Sequence, residues 1–264
     1  MTKICSRAVR ETRIRAEGRD TERVSTTPPQ PGARVLIIED ETTLAGMIAA
    51  YLSRAGYDST VVHTGPDGVR AARDLAPDVV ILDLGLPGLD GIEVCRQLRT
   101  FTDCYVIVVT ARKDEIDTLI GLSVGADDYV TKPFSVRELV ARVQAVLRRP
   151  RTGSTTASGT ARSEPTRVFG ALRVDPDGQR VHLRDVEVAL TPTERDLLMA
   201  LTRRPSMAFS RRQLIDDIWG PDWVGDEHLV DVHVAHLRRK LGDDPETGRY
   251  ITTVRGVGYR MGQG

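Results

Sequence analysis

Residues 79–91 read VVILDLGLPGLDG. Val79, Val80, Ile81 and Leu82 form a short run apolar on both faces, which suits a strand buried between two layers of helices. Asp83 ends the run, and a turn rich in Gly and Pro follows. An unpaired carboxylate buried there would cost several kcal/mol unless it kept its proton or met a cation, so its presence asks for a use.

Working outward, RVLIIE (34–39), STVVH (59–63), DVVILD (78–83), YVIVV (105–109) and DYV (128–130) read as strands, while 42–55, 66–75, 91–99, 114–124 and 135–148 have helical spacing. This alternation predicts an α/β fold: a doubly wound, five-stranded parallel sheet with helices on both faces and right-handed crossovers. In such sheets the reactive edge lies at the C-terminal ends of the strands. Glu39 and Asp40 end the first strand, Asp83 the third and Thr110 the fourth, and Lys132 follows the fifth in TKPF. Three carboxylates, a hydroxyl and an ammonium would face one crevice. A hard divalent cation relieves clustered carboxylates, and Mg²⁺ keeps waters that a phosphate can displace. A carboxylate held there can attack phosphorus, with Thr110 and Lys132 holding the phosphoryl oxygens. Singly, each residue has a plainer reading: helix caps for the acids, a turn hydroxyl, a solvated lysine. Their joint placement at successive strand ends favours a site.

The 264 residues suffice for two domains. Lys plus Arg and Asp plus Glu number 37 each, so net charge gives no support to a nucleic-acid binder, and any such reading rests on local clusters. Cys5, Cys95 and Cys104 have no CxxC spacing, which argues against structural zinc or a disulfide framework and for a reducing compartment. No stretch approaches the ~18–20 apolar residues of a membrane span, and no apolar signal core opens the chain, so a cytoplasmic protein is expected. Residues 1–33 lack apolar periodicity and read as a disordered extension, with Val24 a candidate alternative start. Residues 150–167, PRTGSTTASGTARSEPTR, read as a flexible linker between domains 34–149 and 168–261.

After the linker, VFGALRVD (168–175), QRVHL (179–183) and VEVAL (186–190) read as strands. Helices follow in TPTERDLLMALTRRP (191–205), SRRQLIDDIWG (210–220) and DEHLVDVHVAHLRRKLG (226–242), then a hairpin in YITTVRGVGYRM (250–261). Helix–turn–helix followed by a hairpin is the order of an α+β winged-helix domain. On the third helix His233, His236 and Lys240 share a face, Arg238 and Arg239 add charge, and Val230, Val234, Leu237 and Leu241 form the core stripe. Such a helix fits the major groove, with Arg255 reaching out from the wing. A basic helix face is also common solvated decoration. His233 and His236 find no further Cys or His partner for a metal.

VLIIEDE, ILDLGLPGLDG, VVTAR and GADDYVTKPF resemble, in order, the receiver domain of two-component response regulators. LTPTERDLL, VDVHVAHLRRKLG and ITTVRGVGYR resemble the effector domain of the OmpR/PhoB type, so the likeness covers about 34–261. It implies that Asp83 accepts phosphate from a sensor histidine kinase. Asp40 and Asp83 would ligate Mg²⁺, with Glu39 acting through water and the Gly85 backbone carbonyl as a further ligand. Thr110 and Lys132 would contact the phosphoryl group, Tyr129 would be the switch aromatic, and the Lys132–Pro133 bond would be cis. Leu119, Leu122 and Val140, ringed by Asp127, Asp128, Glu138 and Arg142, match a face of the fourth helix, fifth strand and fifth helix that forms homodimers. Thr118 departs from the basic residue usual there. His233, Ala235, His236, Arg238 and Arg239 on the recognition helix, with Thr253 and Arg255 on the wing, would meet promoter DNA. Relatives often carry Arg at 235 and 236, so the operator sequence cannot be copied from them. The loop after the second effector helix would face RNA polymerase or the other domain. Gly85 and Arg112, two beyond Asp83 and Thr110, would tune phosphate lifetime.

The implied function is phosphorylation-dependent transcription regulation, with no enzyme activity beyond phosphoryl acceptance and slow self-dephosphorylation. An aspartyl-phosphate phosphatase of the haloacid-dehalogenase kind shares the Asp, Thr, Lys and Mg²⁺ logic, but needs an acid where Gly85 stands. A regulator that binds DNA without phosphorylation is a second alternative, kept open by Thr118.

Overall fold

The computed structural model describes residues 32–111, 125–148, 164–223 and 225–264. Strands β1 (Arg34–Ile38), β2 (Asp58–Val62), β3 (Val79–Asp83), β4 (Tyr105–Thr110) and β5 (Asp128–Thr131) form one parallel sheet in the order β2-β1-β3-β4-β5. Every residue of β3 and β4 is buried, as the unbroken apolar runs require. Successive side chains alternate between two cores. Leu36, Ile38, Val80, Leu82, Val106 and Val108 pack on the side of α2 (Gly65–Leu75) and α3 (Gly91–Arg99). Val35, Ile37, Val79, Ile81, Ile107 and Val109 pack on the side of α1 (Thr42–Arg54) and α4 (Val136–Leu147). The helix expected over 114–124, with Leu119 and Leu122, lies outside the described residues, as does Arg112.

In the second unit, β6 (Arg167–Phe169), β7 (Leu172–Asp175), β8 (Arg180–Leu183) and β9 (Val186–Glu187) form an antiparallel meander. The single strand expected over 168–175 is two strands, because Gly170 turns the chain at φ +57°. Helices α5 (Pro192–Arg203), α6 (Arg211–Ile218) and α7 (His228–Leu241) follow. Reciprocal capping boxes start two of them, Thr191 with Glu194 and Ser210 with Gln213. The hairpin of β11 (Ile251–Val254) and β12 (Gly258–Met261) gains a third strand, β10 (Phe209–Ser210). Two residues are too short to show alternation, so sequence periodicity passes over β10. The buried apolar cluster on the α2–α3 side runs without a break into the core of this unit.

The turn after β3 depends on close packing at Gly91, where a Cβ would meet the Asp83 carbonyl oxygen and lie 2.7 Å from Leu84 Cα. Both are backbone atoms and cannot yield as a flexible side chain would. Gly46, inside α1, has nothing within 4 Å of such a Cβ. Gly91→Ala is therefore expected to destabilise the fold by about 1–3 kcal/mol in urea denaturation. Gly46→Ala is expected to be neutral or to stabilise by up to ~1 kcal/mol. Equal stability of the two variants would contradict the tight turn.

Candidate functional site

The parallel sheet delivers Glu39, Asp40 and Asp83 to one edge, where one carboxylate oxygen from each lies within 4.8 Å of the others. Glu39 and Asp83 are buried, and Asp40 is exposed. The Gly85 N–H donates to Asp83 Oδ1 at 3.1 Å, and Lys132 Nζ donates to Asp83 Oδ2 at 3.0 Å. Both acceptor oxygens are thereby held in position. The same ammonium reaches Glu39 Oε2 at 3.1 Å. Thr110, fully buried, ends β4 one residue beyond Val109, the partner of Asp83 in the sheet. The Lys132–Pro133 peptide is cis.

One ammonium does not balance this much negative charge. Burial, and then the charge of Asp83, push the Glu39 carboxyl up to about 7 against the pull of Lys132. Burial works against the Lys132 ammonium, but its bonds to Asp83 and Glu39 outweigh that and raise it. Oxygen-only donors with surplus negative charge suit a hard divalent cation of the Mg²⁺ kind. A fixed carboxylate beside such a cation is a nucleophile for phosphorus.

The far end of β5 carries a second charged centre. Asp127 is fully buried: its Oδ2 accepts from Arg99 Nη2 at 2.6 Å and from the Val106 N–H at 2.9 Å. Asp128 accepts from Arg142 Nη1 at 2.9 Å, and Arg142 also reaches Glu138 at 2.9 Å. Val140 is buried on the same helix. Three of these groups continue into the second unit. Asp127 Oδ1 accepts the Thr193 N–H in the first turn of α5 at 3.1 Å, and the Asp127 carbonyl accepts from His233 Nε2 at 3.2 Å. Asp128 Oδ2 lies 3.4 Å from the Trp223 indole nitrogen, and the Arg142 guanidinium stands 5.0 Å over that ring. Tyr129, which follows Asp128 in β5, is 8 % exposed, and its hydroxyl has no hydrogen-bond partner among the described residues. Burial foremost, then the charges of Cys95, Asp127, Glu194 and Asp128, raises that phenol.

Of the side chains expected on the DNA-facing surface, Arg239, Thr253 and Arg255 are exposed and Ala235 half-buried. His233 and His236 are 0 % exposed. His233 lies between Asp127 and Trp219, and His236 Nδ1 faces Glu194 at 3.8 Å. Arg238 is buried and spends Nη2 on the Ile251 carbonyl and the Thr253 hydroxyl, both at 2.8 Å. The face read as open on α7 is packed, and Arg238 braces the wing. Sequence reasoning also missed Arg99 and Trp223. The pair Trp219–Trp223 in WGPDW was the available signal, since two tryptophans in a loop rarely both face water.

Comparison with known proteins gives this geometry a context. Residues 35–144 match the family described as the response regulator receiver domain, and 185–261 match the C-terminal domain of transcriptional regulatory proteins. The chain is 42 % identical over 231 residues to the DNA-binding response regulator MtrA of Mycolicibacterium smegmatis, covering 87 % of this chain and 96 % of that one. It is 44 % identical over 227 residues to the sensory transduction protein RegX3 of the same organism, covering 86 % and 98 %. A solved structure of a RitR mutant superposes with a TM-score of 0.68 at 26 % identity, covering 88 % of this chain and all of that one. With both domain families matched in order and relatives aligned nearly end to end, the chain belongs to the OmpR/PhoB-type two-component response regulators.

Proposed function

We propose that Asp83 accepts a phosphoryl group from the phosphohistidine of a sensor kinase and that the chain, as a dimer, then controls transcription at promoter DNA. The observation that carries this reading is the strand-end cluster of Glu39, Asp40, Asp83 and Lys132. In the transfer an Asp83 oxygen bonds to phosphorus as the phosphorus–nitrogen bond breaks, and the kinase imidazole leaves with the electron pair. Asp40 and Asp83 would hold Mg²⁺ directly, Glu39 through water and Gly85 through its carbonyl; the cation supplies neutralisation of the phosphoryl oxygens. The Gly85 N–H fixes the rotation of the Asp83 carboxylate. Lys132, already on Asp83, shifts its ammonium to a phosphoryl oxygen, and the Thr110 hydroxyl takes another, with Tyr129 following as the switch.

The face of Leu119, Leu122, Val140, Asp127, Asp128, Glu138 and Arg142 forms the dimer. Arg239, Thr253 and Arg255 contact DNA. His233, covered by a carbonyl of the receiver, joins them once the domains part, while His236 and Arg238 position α7 and the wing. The loop of residues 219–227 faces RNA polymerase. The protein works in the cytoplasm, with residues 150–166 as its linker, since Arg167 already belongs to β6; no described helix is long and apolar enough to cross a membrane.

Acetyl phosphate with Mg²⁺ is expected to add one phosphoryl group to the wild type and none to Asp83→Ala by intact mass, with a shift to dimer on a sizing column. A wild type that takes no phosphoryl group rejects the reading. A Cβ on Gly85 would stand 3.6 Å from Asp83 Oδ2, so the missing side chain leaves the acceptor open to water. Gly85→Met is expected to lengthen the life of the phosphorylated form, and identical decay would remove that role.

Glu39 yields a pH prediction. Its folded value of about 7 exceeds the ordinary 4.5, so the stability tied to its proton is complete below 4.5 and lost as pH rises to 7. In EDTA the melting temperature should fall across that window, and Mg²⁺ should reverse the fall. Glu39→Gln is expected to flatten the fall and blunt the response to Mg²⁺. A variant with the wild-type pH profile would acquit Glu39.

A further inference from the structure

A cavity of about 430 Å³ lies where the end of α4, the start of the meander, one face of α5 and the end of α6 meet. It shares no residue with the cluster of Glu39, Asp40 and Asp83. Four arginines line it, Arg148, Arg167, Arg195 and Arg203, against three acids, Glu164, Asp196 and Asp217. Arg167 is fully engaged: it pairs with Glu164 and donates to the Met199 carbonyl at 3.2 Å and the Thr202 hydroxyl at 3.0 Å. Arg148 approaches Asp222 no closer than 4.0 Å. Arg195 and Arg203 meet no carboxylate among the described residues, and Arg195 Nε is buried with no hydrogen-bond partner among them. Residues 149–163, which join Arg148 to Glu164, contain no Asp or Glu, so that stretch carries no carboxylate to neutralise these arginines.

We propose that this cavity binds a small organic oxyanion, a phosphate monoester or a carboxylate on an apolar body, anchored by Arg195 and flanked by Arg148 and Arg203. A buried guanidinium nitrogen without an acceptor is costly, and an oxyanion removes that cost, because the guanidinium fork matches carboxylate and phosphate oxygens in pairs. The helix ends that reach the cavity, at Arg148 and Trp219, are C-termini, whose partial negative charge opposes an anion. Binding therefore falls to the arginine side chains and not to backbone dipoles. The remaining wall is largely apolar, with Ala145, Met199, Ala200 and Ile218, and the volume is that of a site for a small organic molecule. Arg195, Met199 and Arg203 follow one another at four-residue steps along a single stripe of α5, so an apolar body over Met199 has a cation at either end.

Calorimetric titration of the full chain with phenyl phosphate, benzoate and inorganic phosphate tests this, in EDTA so that no metal draws anions to the strand-end carboxylates. Phenyl phosphate or benzoate is expected to bind at millimolar concentration or below, more tightly than inorganic phosphate, and to change the emission of Trp219, which lines the cavity. Whichever of the two binds more tightly assigns the ligand to the phosphate esters or to the carboxylates. Arg195→Gln and Arg203→Gln, checked for folding by circular dichroism, are expected to weaken binding by about 10- to 100-fold, the worth of a charge-assisted hydrogen bond. Arg203 is exposed, so its variant decides the matter if Arg195→Gln fails to fold. Arg255→Gln, on the exposed wing, should bind as the wild type does. No binding of either aromatic anion at millimolar concentration, an equal affinity for inorganic phosphate, or wild-type affinity in the folded cavity variants overturns the proposal.

Discussion

The constraint on which the molecule turns is that Asp127 is buried and charged. A carboxylate with no exposure needs several donors, and Asp127 collects them from three directions: Arg99 at the end of α3, the Val106 N–H in β4 and the Thr193 N–H of the effector domain. Arg99 itself is tied to the Gly125 carbonyl at 2.7 Å and to the Cys104 carbonyl. The start of β5 is therefore anchored to the neighbouring strand and helix before the effector domain arrives. The helix N-terminus that docks there brings unsatisfied N–H groups and a partial positive charge, which suits a carboxylate.

The end of the sheet that carries Glu39 and Asp83 obeys the same rule with different means. Asp83 and Glu39 share one lysine, and the shortfall appears as a Glu39 carboxyl that holds its proton to about pH 7. One buried acidic centre is satisfied by protein groups alone, and the other is left short of positive charge. The first suits a structural joint; the second suits a place where charge is brought in and taken away. β5 connects the two, running from Asp128 at the joint to Thr131, next to the lysine.

How much of this was legible in the sequence follows from the range of each interaction. The sheet and the carboxylates gathered at its edge were legible because β3 and β4 are buried throughout and their ends fall at fixed positions in each strand–helix repeat. The capping box at Thr191 was legible because it spans three residues. The surface of α7 was misjudged, since nine of its fourteen residues are buried. Val230 and Val232 point about 160° apart at 3.6 residues per turn, so two packed sides were written into the helix. The second side could not be assigned to a partner, because Asp127 lies 106 residues away from His233. For the same reason Arg238, bound to β11, looked like a free basic residue.

The contact between the two units combines a good anchor with a defect. Full burial of a side chain such as Trp223 contributes roughly 1.5–3 kcal/mol or somewhat more, given the size of the ring. Against this stand the hydroxyl of Tyr129, at a cost of about 1–3 kcal/mol, and the long 3.4 Å approach of the Trp223 indole to Asp128. Moving a two-state equilibrium from one side to the other takes about 5.5 kcal/mol. A contact with one good anchor and one defect stays within reach of that figure, whereas one with every group satisfied would lie well beyond it. The unsatisfied hydroxyl belongs to Tyr129 on β5, the strand that runs from the contact with the effector domain at Asp128 to Thr131 beside the lysine.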